Sequence, residues 1–396
     1  MLRDGVRVRR RQPPWAGRGR KWGREAVILQ FGTSRFLQAH VDLFAWQART
    51  SGQDVPPIVI AQVTDDEARS RRLSAFADPS GFSVIVRGVE KGRRIASSII
   101  VRSVVDGISA RRDWRKLVAL FVSSVTHVVS NTGATGFESI EGEQPPNSVQ
   151  PPTGFIGMIV QLLYNRWKAG RDGVTFLPCE LIRTNGAVLH HRVKALSNQW
   201  GYGAAFEEWL DTECRWVDTL VDRIVSEPLN PAGAITEPYA LWAVSRQPGL
   251  VMPFNHPAIE LTDDLEHFER LKLHILNLGH TWLAAQWRRL GEPSAMTVLD
   301  AMSTPALADS LTAVYRDEVV PGFIARGAGD AAHDYVETTL ERFRNPFLAH
   351  RLADIATDHS TKIKTRIGGF VDWVERSGTV LPMPKLQHLL QARSAS

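Results

Sequence analysis

The apolar positions of this chain follow one rhythm in its first half and another towards its end. Residues 26 to 32, AVILQFG, are a short apolar run closed by glycine, which reads as a buried strand and its turn. SRFLQAHVDLFAWQA follows with helical spacing, and PIVIAQV is a second buried run. Strand, glycine turn, helix and strand make a βαβ unit, so a parallel sheet is expected. Residues 81 to 105, GFSVIVRGVEKGRRIASSIIVRSVV, alternate with period two about EKGR and predict a hairpin. THVVSNT and VTFLPCE predict further strands, separated by a helix near residues 153 to 168.

The Pro- and Gly-rich segment SEPLNPAGAITEP (226 to 238) marks the change. Beyond it strand signals nearly vanish, and helical patterns recur around 264 to 290, 304 to 318, 331 to 343 and 349 to 377. The expected architecture is an α/β nucleotide-type domain over residues 26–228 followed by a mostly α-helical domain over 229–396. No internal repeat or heptad run interrupts this pattern.

Composition changes the picture in one place. The 396 residues carry a net charge of +5, which first suggests a nucleic-acid partner. Residues 1–25, however, hold eight Arg and one Lys against Asp4 and Glu25, a local charge of +7 that leaves about −2 for the rest. The basic character belongs to this tail, which reads as a disordered extension or the product of a start codon placed too early. Binding of nucleic acid or anionic lipid is its other reading. No apolar core follows the arginines and the tail has no serine, which argues against a secretory signal and a transit peptide. No apolar run approaches the roughly 18 residues of a membrane span. Only Cys179 and Cys214 are present, expected as buried core thiols, so a reducing cytoplasm is the expected location.

Chemistry is expected at two places. In a doubly wound sheet the first glycine turn faces a dinucleotide pyrophosphate. Here that turn is FGTSRF, where Gly32 permits close backbone approach and Ser34 stands at the position of an expected second glycine. After the second predicted strand, AQVTDDEARSRR offers Asp65 or Asp66 for an adenosine ribose, which favours NAD, while Arg69, Arg71 and Arg72 leave NADP open. The plainer reading has the aspartates capping a helix and the arginines on a solvated face.

The second place is KLHILNLGH (272 to 280). At about 100° per residue, Asn277 lies roughly 140° and His280 roughly 80° around a helix from Lys272, so all three are expected on one side, and Glu269, one turn before the lysine, joins them. Taken singly, Lys272 reads as a snorkelling surface lysine, His280 as a core histidine and Glu269 as an exposed ion-pair partner.

The blocks ILQFGTSRF, VVSNTGATG, LPCELIRTNG, TLVDRIV, EPYALW, KLHILNLGH and ERFRNPFLAHRLADI occur in this order between about residues 27 and 375. Together they resemble the polyol-specific long-chain dehydrogenases, the family of mannitol dehydrogenase, fructuronate reductase and tagaturonate reductase. The resemblance implies a Rossmann-type dinucleotide-binding domain, a largely helical substrate domain, NAD as cofactor with NADP not excluded, and no metal. Lys272 matches the family's catalytic base, Asn277 and His280 the residues that hold the reacting oxygen, and Glu269 and Asp222 nearby acidic positions. Phe31, Gly32, Thr33, Ser34, Arg35 and Phe36 match the cofactor loop, with Asn131, Thr132 and Asp65 as further cofactor residues. The chain departs from the family pattern at Ser34, in NTGATG, which lacks the usual acidic residue, and in CEL, where mannitol dehydrogenases read CDN. Leu181 thus replaces an asparagine that helps hold a polyol, and PCEL, SNT and VRGVE lean towards the uronate reductases.

These residue types suit alcohol–ketone interconversion. One amine can take the hydroxyl proton in one direction and return it in the other if burial draws its pKa towards working pH. Donors preset at the substrate oxygen, here Asn277 and a ring N–H of His280, each lower the barrier by about 3 kcal/mol in comparable sites. A ketouronate also needs a cation, for which Arg342, Lys362 and Arg366 are the candidates; otherwise these are solvated helix charges. The sequence therefore predicts a nicotinamide-dependent oxidoreductase acting on a small sugar acid or polyol, with tagaturonate or fructuronate reduction expected first. The alternatives are a mannitol-type polyol dehydrogenase, a catalytically idle NAD-binding sugar-acid sensor, and an enzyme-like body with a nucleic-acid-binding tail.

Overall fold

A computed structural model describes residues 23, 25–64, 67–138, 140, 142–146 and 150–392. The basic tail up to residue 22 and Asp65 lie outside the described residues. In chain order the strands are β1 (Val27–Phe31), β2 (Ile58–Gln62), β3 (Phe82–Glu90), β4 (Arg93–Val101), β5 (Val104–Ser109), β6 (Val125–Ser130), β7 (Thr175–Pro178), β8 (Arg215–Trp216), β9 (Thr219–Asp222), β10 (Val225–Pro228), β11 (Gly233–Thr236), β12 (Leu241–Ser245) and β13 (Ile259–Thr262).

The main sheet runs β5-β2-β1-β6-β7-β8 and is parallel throughout. Its order reverses between β1 and β6, the place where such sheets open a crevice beyond the strand ends. β1 is buried along its whole length because both its faces are covered. Val27, Leu29 and Phe31 face one core with the helices Trp114–Ser123 and Phe155–Lys168, whereas Ile28 faces another with the helix Val41–Thr50. The second core also takes inward residues of two smaller sheets, ordered β10-β11-β3-β4 and β13-β12-β9.

The expected βαβ unit and hairpin are both present, with the hairpin turning at Lys91 and Gly92 in left-handed backbone. The hairpin was expected to reach residue 105. It ends at Val101 instead, and Val104 begins the third strand of the parallel sheet, pairing with Ile58. Apolar residues recur on both sides of Arg102 and Ser103 with no Gly or Pro between them, so the sequence pattern alone does not separate the two strands.

Beyond β13 the described chain is helical. The longest rod comprises an α-helix Leu265–Leu271, a π-helical stretch Lys272–Asn277 and an α-helix Leu278–Arg289. Its buried side packs on the helices Pro305–Val314 and Gly329–Phe343 and on the segment 363–374. No described helix is long and apolar enough to cross a membrane, and both cysteines are free and buried.

Candidate active site

Two of the cavities on this scaffold take in residues singled out from sequence. The first, about 470 Å³, opens at the reversal between β1 and β6 and is lined by Gly32, Thr33, Ser34, Asn131 and Thr132 among others. Gly32 has φ 106°, and a Cβ there would fall 2.6 Å from the Asn131 carbonyl oxygen. Only glycine fits that conformation and that approach. Ser34 begins the helix Arg35–Ala39 as its N-cap, with Oγ accepting from the Leu37 N–H at 3.2 Å. A capping serine therefore stands where a second glycine was expected. The rest of the turn points elsewhere. Arg35 donates to the Gly233 carbonyl and to Asn230, the Phe31 ring packs on Phe155, and Phe36 stacks on His40. Arg72 lines the cavity and donates to the Thr33 carbonyl.

The second cavity, about 510 Å³, lies between the end of β7, β9 and the Lys272 rod. Lys272, Asn277, Glu269 and Arg366 all line it. The π-helical stretch explains how Lys272 and Asn277 share a wall. Residues five apart are displaced on an α-helix, but i→i+5 bonding stacks them. The Lys272 ammonium donates to the Val221 carbonyl at 2.7 Å, held by the strand that also carries Asp222. Burial pushes the Lys272 pKa down, Asp222 pulls it back, and Arg342 and Arg366 push it down further. Glu269 pairs with Arg183 at 3.2 Å, yet burial still raises its pKa.

His280 and Arg342 are placed differently from expectation. The His280 ring is buried behind the cavity wall against Phe343 and His350, with Nε2 unpartnered. Burial drives its pKa well down, with the His350 and Arg342 charges adding to the effect, so it is a neutral imidazole. Arg342 was expected at a substrate carboxylate. Its guanidinium is instead buried in a double fork, with both Asp222 oxygens at 3.0 Å and the Glu237 oxygens at 3.0 and 2.8 Å. The Tyr335 hydroxyl donates to Asp222 and the Tyr239 ring lies 4.2 Å from the guanidinium, so every edge of Arg342 is engaged. Burial alone would raise the Asp222 pKa, but the charges of Arg342 and then Lys272 hold it down to about 2. Glu237 is shifted the other way, upwards, by burial and by Asp222 beside it. Lys362 is also turned away, donating to the Ile355 carbonyl. Arg366 alone of the three cations lines the cavity, with Nη1 on the Asn277 carbonyl and on Thr281 Oγ1.

A model of the mannitol dehydrogenase Rossmann domain matches residues 26–252, and one of the mannitol dehydrogenase C-terminal domain matches residues 264–381. The chain belongs to the mannitol dehydrogenase family. The family resemblance is thereby borne out, and the chain is an oxidoreductase of the polyol or sugar-acid type. An altronate oxidoreductase of Halalkalibacterium halodurans is 28% identical over 375 residues, covering 89% of this chain and 71% of that protein. One of Bacillus subtilis is 27% identical over 366 residues, covering 86% and 73%. Among solved structures, D-sorbitol dehydrogenase in substrate-free form superposes with a TM-score of 0.73 at 19% identity, over 91% of this chain and 77% of that one. The Pseudomonas fluorescens mannitol 2-dehydrogenase ternary complex with NAD and D-mannitol gives 0.67 at 17%, over 93% and 84%. At those identities the likeness shows the shared fold.

In this member of the mannitol dehydrogenase family, several site residues were not singled out from sequence. Glu180 lines the second cavity and accepts from Ser130 Oγ, Thr132 N–H and Thr132 Oγ1 at 2.9 to 3.1 Å, so the two cavities share a wall there. Burial raises the pKa of Glu180 despite those bonds. Arg183, His274 and Trp373 also line the second cavity, and Glu237 completes the Arg342 fork. Glu180, Arg183, Glu237 and His274 fall inside blocks that carry the resemblance, which was the available signal.

Proposed function

We propose that this protein interconverts a sugar-acid alcohol and its ketone with NAD, with tagaturonate and fructuronate as the first substrates to test. The observation that carries the reading is the Lys272 amine, set among Asn277 and Arg366 in one cavity that shares the Glu180 wall with the Gly32 crevice. That crevice fits a dinucleotide. Gly32 allows backbone approach, the neighbouring Gly133 is also left-handed, and the position is the switch point of a parallel sheet. Bound there, the nicotinamide would accept or return the hydride.

The remaining chemistry belongs to the chain. Lys272 removes the hydroxyl proton during oxidation and donates it during reduction. The Asn277 amide stabilises charge growing on the substrate oxygen, and His280, neutral and with an unpartnered nitrogen, backs that position. Glu269, at the cavity edge, passes protons to solvent. Asp222 favours the charged amine, and Arg342 holds Asp222. Arg366 meets the substrate carboxylate, a role for which Arg342 has no free edge. Altronate is the sugar acid in the names of the relatives above, which supports an acid over a neutral polyol. So does Leu181, which presents an exposed apolar side chain at the cavity.

The test is loss of reduced-nicotinamide absorbance when NADH, then NADPH, is mixed with tagaturonate, fructuronate and fructose. Turnover of a ketouronate is expected. Turnover of fructose alone would move the reading to a polyol dehydrogenase, and NADH binding without turnover of any of them would favour an idle sensor.

A further inference from the structure

Most polar groups in the substrate cavity wall are hydrogen-bond donors. Arg183, Arg270, Lys272, Arg366 and Arg376 supply cationic N–H groups, whereas the wall carboxylates are committed: Glu180 to Thr132 and Ser130, Glu266 and Glu269 to arginines. A sugar acid brings acceptors in its carboxylate and carbonyl, but every hydroxyl also carries a hydrogen that needs an acceptor. His274 offers one.

His274 lies in the π-helical stretch two residues after Lys272, is only 5% exposed, and lines the cavity. Its Nδ1 is 2.9 Å from the Arg366 carbonyl oxygen. A carbonyl can only accept, so Nδ1 carries the hydrogen. Burial, reinforced by the Arg270 and Arg183 charges, takes the ring pKa down to about 4, so near neutral pH the imidazole holds no second hydrogen. Nε2 therefore presents a lone pair. Phe370 and Trp373 pack on the ring, with Trp373 within 14° of parallel, and Gly369 lies beside Cε1, where a Cβ would stand 3.7 Å away. The bond that fixes the tautomer also ties the ring to the backbone of Arg366, the cation assigned to the carboxylate.

We propose that His274 accepts, through Nε2, a hydrogen bond from a hydroxyl of the bound sugar acid beyond the reacting carbon, and thereby selects a hydroxylated chain. This inference rests on the sugar-acid reading of the cavity.

The test pairs two variants with monodeoxy analogues of whichever sugar acid turns over. His274→Asn keeps an N–H near the Arg366 carbonyl and removes the Nε2 acceptor, while His274→Gln places an amide oxygen near the Nε2 position. Wild-type kcat/KM is expected to fall about tenfold for one analogue, the size of one neutral hydrogen bond. His274→Asn is expected to handle that analogue and its parent alike, and His274→Gln to restore part of the difference. An Asn variant that discriminates among all analogues as the wild type does would overturn the contact.

A second measurement needs no variant to fold well. The ¹⁵N resonance of His274 Nε2 is expected to move when altronate saturates the wild-type enzyme, and an unmoved resonance under concentrations that saturate turnover counts against the inference. A moved resonance without NADH-linked turnover would sink the catalytic reading and leave this one standing. Normal turnover with an unmoved resonance would do the reverse, and no response to altronate in either measurement tells against both.

Discussion

At the Gly32 crevice four glycines, Gly32, Gly133, Gly136 and Gly154, stand in the wall, and what the site requires there is space and a left-handed turn. At the Lys272 cavity the wall is rich in charged side chains, Lys272 among them on a π-helical stretch, and behind it lies a buried fork of two carboxylates on one guanidinium. The first region is expected to fail when an atom is added and the second when a charge is removed. In the proposed mechanism, function at the second end also depends on which of its cations faces the cavity and which faces the core.

Substitutions at the charged end are expected to have the largest effects. Lys272→Ala removes the proposed acid–base group, and turnover should fall by about 10² to 10⁴, the usual contribution of a positioned proton carrier. NADH affinity, measured by fluorescence titration, should not change. An equal loss of cofactor affinity would mean that the two regions are not separable.

Arg342→Met tests the buried cation. It leaves Asp222 and Glu237 in the core without their shared guanidinium, and removing one partner of such a network costs about 3 to 5 kcal/mol of stability. Urea unfolding should show the loss at neutral pH. The sign of its pH dependence follows from Asp222, whose folded pKa of about 2 lies below its unfolded value. That stabilisation is present above the ordinary carboxylate range and is lost as pH falls towards about 2. The variant's deficit should therefore narrow in acid, where protonation relieves the orphaned carboxylates. A deficit independent of pH would assign the loss to packing alone.

The two ends were also unequally legible in the sequence. The parallel sheet and its glycine turn were readable because a doubly covered strand is apolar along its length, and the reversal at β1 follows from strand order. The helical end carried Lys272, Asn277, Glu269 and Arg366 to one cavity, but not for the angular reason first given. An α-helical wheel sets Asn277 well away from Lys272, and only the π-helical stretch stacks them, a departure that no residue preference announces. Arg342 and Arg366 looked alike as helix cations. What separates them is the distant Asp222 and Glu237, contacts over 105 residues or more of chain that spacing does not reveal.

The crevice answers to the smallest possible addition. Gly32→Ala forces a side chain into φ 106° and against the Asn131 carbonyl. Strain of about 1 to 3 kcal/mol should appear as a weakening of NADH binding of about tenfold or more. KM for the sugar substrate should stay near its wild-type value. A loss on the substrate side instead would show that the Asn131–Glu180 wall transmits the distortion.

Arg366→Ala asks the converse at the half-buried cation that lines the cavity. Losing one charged hydrogen-bonding partner should lower kcat/KM for a ketouronate by about tenfold or somewhat more. An uncharged ketose such as fructose should be far less affected. Equal losses on both would make Arg366 a support for Asn277, whose carbonyl it already holds, and not a carboxylate ligand.

The smallest effect, a displaced pH profile, reads the balance of charge around Lys272 directly. Burial lowers the lysine pKa, Asp222 raises it, and Arg342 and Arg366 lower it again, so the net position is below that of an ordinary lysine. Alcohol oxidation uses the free amine, so its kcat/KM should rise with pH through that lowered value and then level off. Ketone reduction uses the ammonium and should fall through the same inflection. Removing the Arg366 charge takes away one group that disfavours the ammonium, so the inflection in Arg366→Ala should move upward in both directions of the reaction. Because Arg366 is the weakest of the named influences, the displacement should be small. An inflection that stayed fixed while kcat/KM dropped would leave Arg366 acting on substrate alone, and one that moved downward would contradict the placement of its guanidinium beside the amine.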